Sequence, residues 1–409
     1  MTAVFRKSRP SLALRTGVAM AVVVAALMGG GCQGPGHREA RENGGEGREV
    51  ASGGGGAGGG AQRSVGTSSY RHYRLNIEPV GVVPHAGPDL PAISGDGRWM
   101  AWVETDEAAN ELAGRVARER DALLGSSVHV ARVDALQRAR RVAGDAAWPA
   151  FCAADERLVV VARDETGQQR LILHELATGH AQVIAPGLRH MQHPRFSPDG
   201  SMLAFSAHAP DHVRRRIYAL KLDTRSLTAA PVPAALADAE HLAPHWLDDE
   251  AVLFFAAGDA AVQLVVWSPG DDAAEAVRVV GRLELQRAGP AALRDALAGL
   301  TQPLDPSRRY LAWHDAAGDR VVVMDMQAGA VSPLDEGTHA LAWMDDASLL
   351  ASDGRDVLLY ELPRPGSGRR LIGGRWLPRW GSWERGAALL LGPGPAGELE
   401  LVRLRIQRQ

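Results

Sequence analysis

Chemistry in this chain has to come from histidines, arginines and two cysteines set at particular points. Of 14 histidines, His190, His193, His208, His212, His241 and His245 crowd into one stretch. Neutral imidazoles bind divalent metals and carry protons near neutral pH, so a metal or a general base would be sought there. His190-Met191-Gln192-His193 has the spacing of a ligand pair. No His-Glu-x-x-His is present to set two imidazoles on one helical face. Surface histidines, hydrogen-bonded in loops, are therefore the simpler expectation. Two arginines, Arg118 and Arg294, fall in segments with helical patterning and would be solvated cations. The candidate binding residues are Arg118, His190, His193, His245 and Arg294. No catalytic residue is assigned, and no resident metal or other cofactor is expected.

Familiar catalytic signatures fail. There is no Gly-x-Ser-x-Gly elbow and no attached hydrolase domain. No Gly-x-Gly-x-x-Gly leads from a strand into a helix. The Asp-Gly pairs at Asp96 and Asp199 lack calcium-loop spacing and read as hairpin turns. Net charge is −3, so no bulk basic field is available for nucleic acid.

The residues that must position these groups follow a repeat. Arg195-Phe196-Ser197-Pro198-Asp199-Gly200-Ser201-Met202-Leu203-Ala204-Phe205 is an aromatic anchor, a tight turn and an apolar strand. Ala92-Ile93-Ser94-Gly95-Asp96-Gly97-Arg98-Trp99-Met100-Ala101-Trp102 is a second copy. The anchors are Ile93, Phe151, Phe196, Trp246, Leu304, Trp343 and Trp380, spaced 37 to 58 residues apart. Each is followed by an apolar run and then by a more alternating strand, such as Arg216-Ile217-Tyr218-Ala219-Leu220-Lys221. Roughly 40 residues is one four-stranded propeller blade. Seven anchors imply an all-β chain, a seven-bladed β-propeller, with six or eight blades as alternatives. Tyr70–Ile77 alternates polar and apolar residues and is expected to close the ring as the outer strand of the last blade. The tryptophans at anchor positions are expected to pack in the core, not to form a carbohydrate platform.

The repeated Phe-Ser-Pro-Asp-Gly followed by Ala-Phe or Ala-Trp resembles the WD40-like repeat of TolB-type β-propellers. The resemblance covers residues 70–409. It implies a propeller and, by analogy, a bacterial envelope setting. A separate N-terminal α/β domain, as in TolB, has no counterpart here. Some propellers of this repeat class are lyases with a histidine-bound divalent ion, which supplies the rival reading given below.

Propeller topology sends the connections between blades, and the loops between second and third strands, to one face, here called the top. Two insertions fall there, residues 105–126 and 285–302, each expected to hold a helix. Loops on a rigid scaffold commonly carry binding function.

Ahead of the repeat, residues 1–32 form an export signal. Arg6, Lys7, Arg9 and Arg15 precede a short apolar run, Gly17–Met28, that ends at Gly29-Gly30-Gly31-Cys32. That ending resembles a lipoprotein signal and implies lipidation of Cys32. Gln33 implies outer-membrane sorting. An ordinary cleavage near Gly31 is the alternative. Residues 33–69, rich in glycine and charge, are expected to be a disordered tether. Its reach is about 35 Å r.m.s. by chain statistics. Cys152, the other of two cysteines, sits beside an anchor and is read as a small buried apolar residue.

These features converge on a membrane-tethered, non-catalytic propeller of the bacterial envelope. It would bind an envelope protein or polysaccharide on its top face and reach the membrane through a lipid anchor. The alternative is a metal-assisted polysaccharide lyase or hydrolase on the same scaffold.

Overall fold

The computed structural model describes residues 69–70, 73–83, 91–105 and 125–408, apart from 185–187, 210–211, 271–275, 284, 286–288, 298–301, 317, 364, 367 and 394–397. The expected export signal with Cys32, most of the expected tether, and residues 106–124 with Arg118 lie outside the described residues.

Seven antiparallel sheets follow one another along the chain. Blade one runs Ala92–Ile93, Trp99–Thr105, Ser126–Arg132, Arg140–Gly144. Blade two runs Ala146–Phe151, Arg157–Arg163, Gln169–Glu175, Ala181–Val183. Blade three runs Arg189–Phe196, Met202–His208, Arg216–Lys221, Leu227–Ala229. Blade four runs Glu240–Trp246, Val252–Ala257, Val262–Trp267, Val277–Leu283. Blade five begins at a bridge between Leu304 and Leu311 and continues Tyr310–Asp315, Arg320–Asp325, Ala330–Pro333. Blade six runs Ala340–Trp343, Ser348–Ser352, Asp356–Glu361, Arg369–Gly373. Blade seven takes Leu377–Ser382, Ala387–Pro393 and Leu399–Arg408 from the C-terminal end of the chain and Tyr73–Val83 from its N-terminal part.

That last pairing closes the ring. Tyr73 lies opposite Arg408 and Val83 opposite Leu399, with one irregularity between Pro79 and Gly81. The expected closing strand is therefore present, but it starts at Tyr73 and extends to Val83. Ser69–Tyr70 folds back on it as a short extra strand. Closure removes the exposed edge that an open sheet would offer to other chains.

The core is a series of slabs between neighbouring blade faces. Blades three and four share one around Phe254 and Trp267, and blades four and five another around Phe255 and Leu311. Blades five and six meet at Tyr310 and Tyr360, six and seven at Leu359 and Leu404. Blades seven and one meet at Leu389 and Trp102, which completes the circle. Because each blade is covered on both faces, the middle of its second strand is buried, and in blade four every residue of Val252–Ala257 is. Continuous apolar strands are what two-sided burial demands.

Each anchor sits at or near the end of an innermost strand, just before the first hairpin. The turn after it is built the same way in two blades. Ser197 Oγ donates to Asp199 at 2.6 Å and accepts from the Met202 N–H at 2.9 Å. Ser94 does the same with Asp96 and the Trp99 N–H at 2.6 and 2.9 Å. In blade five an aspartate takes the serine's place, and the Tyr310 N–H donates to Asp305. Gly97 and Gly200 hold the left-handed position of this turn, with φ of 68° and 73°. The anchor tryptophans reach across blades: the indole N–H groups of Trp246, Trp343 and Trp380 each donate to a backbone carbonyl, of Arg195, Gln302 and Gly95 respectively, at 3.0 Å. These rings are structural, as their repeat position implied. Cys152 is buried and unpaired with another cysteine, and burial raises its thiol pKa. That fits a packing role.

Candidate functional site

The histidine-rich stretch does not lie in loops. His190 and His193 are on the innermost strand of blade three, and His241 and His245 on that of blade four. His208 ends the second strand of blade three, and only His212 of the six is in a connection. The loop placement is corrected for a topological reason. In blades three and four the innermost strand begins well ahead of its anchor, so residues that look like an inter-blade connection are already part of the ring's inner wall.

His190 and His193 have φ of 51° and 52°. In blades two and four the positions matching His193 are Trp148 and Ala243, at 52° and 47°, each also followed by proline. The conformation thus belongs to the blade design. Its effect here is to turn the two imidazoles apart. His190 meets the edge of His208 with centroids 5.1 Å apart, and His193 tilts against Trp148 of blade two at 6.1 Å. The proposed ligand pair is therefore not brought to one point. Among the described residues, no group of three or more His, Cys, Asp or Glu side chains stands at metal-binding geometry.

What does converge is positive charge. Burial, and then the nearby charges of Arg195, Arg215 and Arg294, hold the His193 imidazole down to about 3. His245 is held well below its ordinary value by burial and then by Arg195, Arg308 and His193. His208 is lowered to about 4 by burial and then Arg215, and His190 is lowered by burial, then Arg215. These imidazoles are neutral at physiological pH, whereas the arginines remain charged. Arg294 projects from the helix Pro290–Leu297, whose Leu293 and Ala296 pack into the slab between blades four and five while Arg294 stays exposed. The helix is where the insertion at 285–302 was expected to place one. Three candidate residues, His193, His245 and Arg294, thus belong to one electrostatic neighbourhood, and His190 borders it through Arg215. Arg118 lies outside the described residues.

Sequence reasoning missed Arg195, Arg215 and Arg308. Arg215 pairs with Glu240, Nη1 to Oε2 at 3.6 Å, at the top of blades three and four. Arg195 precedes anchor Phe196, and Arg308 takes the left-handed turn position in blade five with φ of 64°. The signal was available in the repeat itself. The residue before the anchor is alanine in blades one, two and six (Ala92, Ala150, Ala342) but Arg195, His245 and Arg379 in three others.

A second polar constellation carries no relay. In blade one, Ser127 Oγ and Glu104 Oε2 both approach His129 Nε2, each at 3.1 Å. A nucleophile and an orienting acid must use opposite ring nitrogens, and here they share one.

No family model matches the chain, and no curated protein does. Solved structures do resemble it. The β-propeller domain of the Trilobed protease from Pyrococcus furiosus has a TM-score of 0.51 at 9% identity, covering 80% of this chain and 95% of that domain. A puromycin-hydrolyzing peptidase of Mycobacterium tuberculosis has a TM-score of 0.51 at 17% identity, covering 80% of this chain and 54% of the peptidase. TolB from Acinetobacter baumannii has a TM-score of 0.43 at 17% identity, covering 77% of this chain and 65% of TolB. The chain thus spans about two thirds of TolB and about half of the peptidase. At such identities the likeness concerns the fold, and the two structures at a TM-score of 0.51, with the seven sheets and their closure, establish a seven-bladed β-propeller.

Proposed function

We propose that this chain is a binding propeller of the bacterial envelope. It is exported, lipidated at Cys32 and held to the outer membrane by residues 33–69. It takes an envelope protein or polysaccharide across the top face and needs no resident cofactor. The carrying observation is that His193, Arg215 and Arg294 come from an inner strand, a loop and an insertion helix, yet share one electrostatic environment. A surface assembled from separate elements suits recognition. The metal-assisted alternative loses its main support because the rings of His190 and His193 face different neighbours. The peptidase names of two neighbours belong to those proteins.

The test is binding of an envelope extract, and of purified envelope polysaccharide, to the immobilised full chain. Arg294→Glu should weaken capture several-fold, as charge changes at an interface rim do. Arg385→Glu, in the hairpin on the opposite face, should not. Loss with Arg385→Glu and retention with Arg294→Glu would overturn the assignment. Separately, Cys32→Ser should move the protein from the membrane to the soluble fraction.

A further inference from the structure

We propose that the inner wall of the ring between blades three, four and five is a binding site for an oxyanion, a carboxylate or a phosphate group, held by Arg195 and Arg308 with His193 and His245 beside it. The proposal goes beyond the top-face reading, since Arg308 lies in the first hairpin of blade five, toward the opposite face, and it rests on that reading only for the ligand's source.

The first observation is an unneutralised cation inside the ring. Arg195 is half-buried, and its guanidinium has no hydrogen bond or ion pair among the described residues. Burial alone accounts for the perturbation of this group, with no acidic neighbour contributing. Arg308 is also half-buried, and its guanidinium makes one long bond, to its own turn's Asp305 carbonyl at 3.4 Å. A half-buried charge without a partner, as at Arg195, is costly, whereas Asp305 offsets part of the charge of Arg308.

The second observation is that the fold does not require these charges. The position of Arg195 is alanine in blades one, two and six, and the position of Arg308 is Gly97 in blade one and Gly200 in blade three. Arg308 sits at φ 64° where the other two blades use glycine at 68° and 73°. A large cation in a backbone conformation that favours glycine is a double departure from the repeat.

The third is donor supply. His193 Nδ1 is buried with no hydrogen-bond partner. The neutral imidazoles add N–H donors without adding repulsion between cations. Arginine forks with neutral donors beside them suit planar or tetrahedral oxyanions. The acid near Arg215, Glu240, pairs with it; Asp305 acts on Arg308 while its oxygens accept from Ser307 and the Tyr310 N–H.

The protein's own repeats supply the variants. Arg195→Ala and Arg308→Gly restore residues that other blades already carry, so both should fold. The full chain is titrated calorimetrically at neutral pH with inorganic phosphate and, in a second arm, with acetate. Melting temperature is followed in parallel. The wild type should bind at least one anion and melt higher in its presence; the stronger arm identifies the ligand's source as phosphate-bearing or carboxylate-bearing. Each variant should lose roughly tenfold or more in affinity, as expected for losing a charge-assisted bond, and should melt no lower than wild type without anion. Absence of binding in both arms would overturn the proposal. So would binding unchanged by Arg195→Ala and Arg308→Gly, or binding abolished by Arg294→Glu alone, which would move the site to the rim. Anion binding by a protein that captures no envelope partner would leave this inference standing and remove the broader one.

Discussion

Single residues in this propeller divide into those the repeat requires and those it merely tolerates. Asp199 is required. Its carboxylate accepts from Ser197 Oγ, the Ser201 N–H and Ser201 Oγ at 2.6, 2.9 and 3.0 Å, and these bonds hold its pKa below the ordinary carboxylate value. Asp199→Ala is expected to cost about 1–2 kcal/mol in urea unfolding, the loss of a multiply bonded turn acceptor, with top-face binding unaffected. Gly200→Ala should be worse. Its added Cβ would lie 2.5 Å from Arg157 Nη2 and 2.6 Å from Cys152 Sγ, in a left-handed conformation. A melting temperature for Gly200→Ala equal to wild type would contradict the geometry. The turn was legible from Ser-Pro-Asp-Gly because its chemistry is local. The role of Arg195, three residues upstream of the proline, was not, since it depends on what blades four and five bring beside it.

At the scale of elements, the closing strand and the blade-to-blade tryptophans carry the ring. Leu75 is 2% exposed in the slab between blades six and seven. Leu75→Asp should strip that strand from blade seven, exposing an edge and promoting aggregation. Sedimentation that shows a monomer of unchanged stability would count against closure as the source of integrity. Trp380 donates from blade seven to Gly95 of blade one, 3.0 Å away. Trp380→Phe keeps much of the ring's bulk and removes that bond, so a loss of about 1 kcal/mol is expected. The strand itself was foreseeable from the alternation of Tyr70–Ile77, although the pairing begins only at Tyr73. Its true end at Val83 was not, because Pro79 and Gly81 interrupt the pattern and the pairing with Leu399–Arg408 spans that irregularity.

For the whole molecule, buried and half-buried neutral histidines set the acid limit. His193 is lowered to about 3, and His208 and His241 to about 4, burial being the first cause in each. In the unfolded chain these groups take up protons near 6.5. Between 6.5 and the folded values the unfolded state therefore binds more protons, and stability falls as pH falls. Above 6.5 this contribution is complete and flat. The urea midpoint should drop steadily from pH 6.5 toward pH 4. His241 is fully buried and packs on Phe254 with centroids 5.0 Å apart. His241→Phe should therefore flatten part of the decline while leaving the midpoint at pH 7 little changed. An acid limb identical to wild type would remove His241 from the account.

Much of the architecture was written in the chain. Turn residues, anchors and apolar runs recur because each blade is a local unit whose hairpins depend on nearby residues, so seven blades, the structural tryptophans and the insertion helix at Pro290–Leu297 could be read directly. Tertiary structure decided which side chains meet. His190 and His193 looked like a pair by spacing, but the strand conformation turns them to different neighbours. Arg195, His245 and Arg308 lie far apart in sequence and in three successive blades, and only the packing of those blades makes the two arginines act on His245. Spacing along one strand is a local property, whereas convergence on the inner wall depends on how every blade packs against the next.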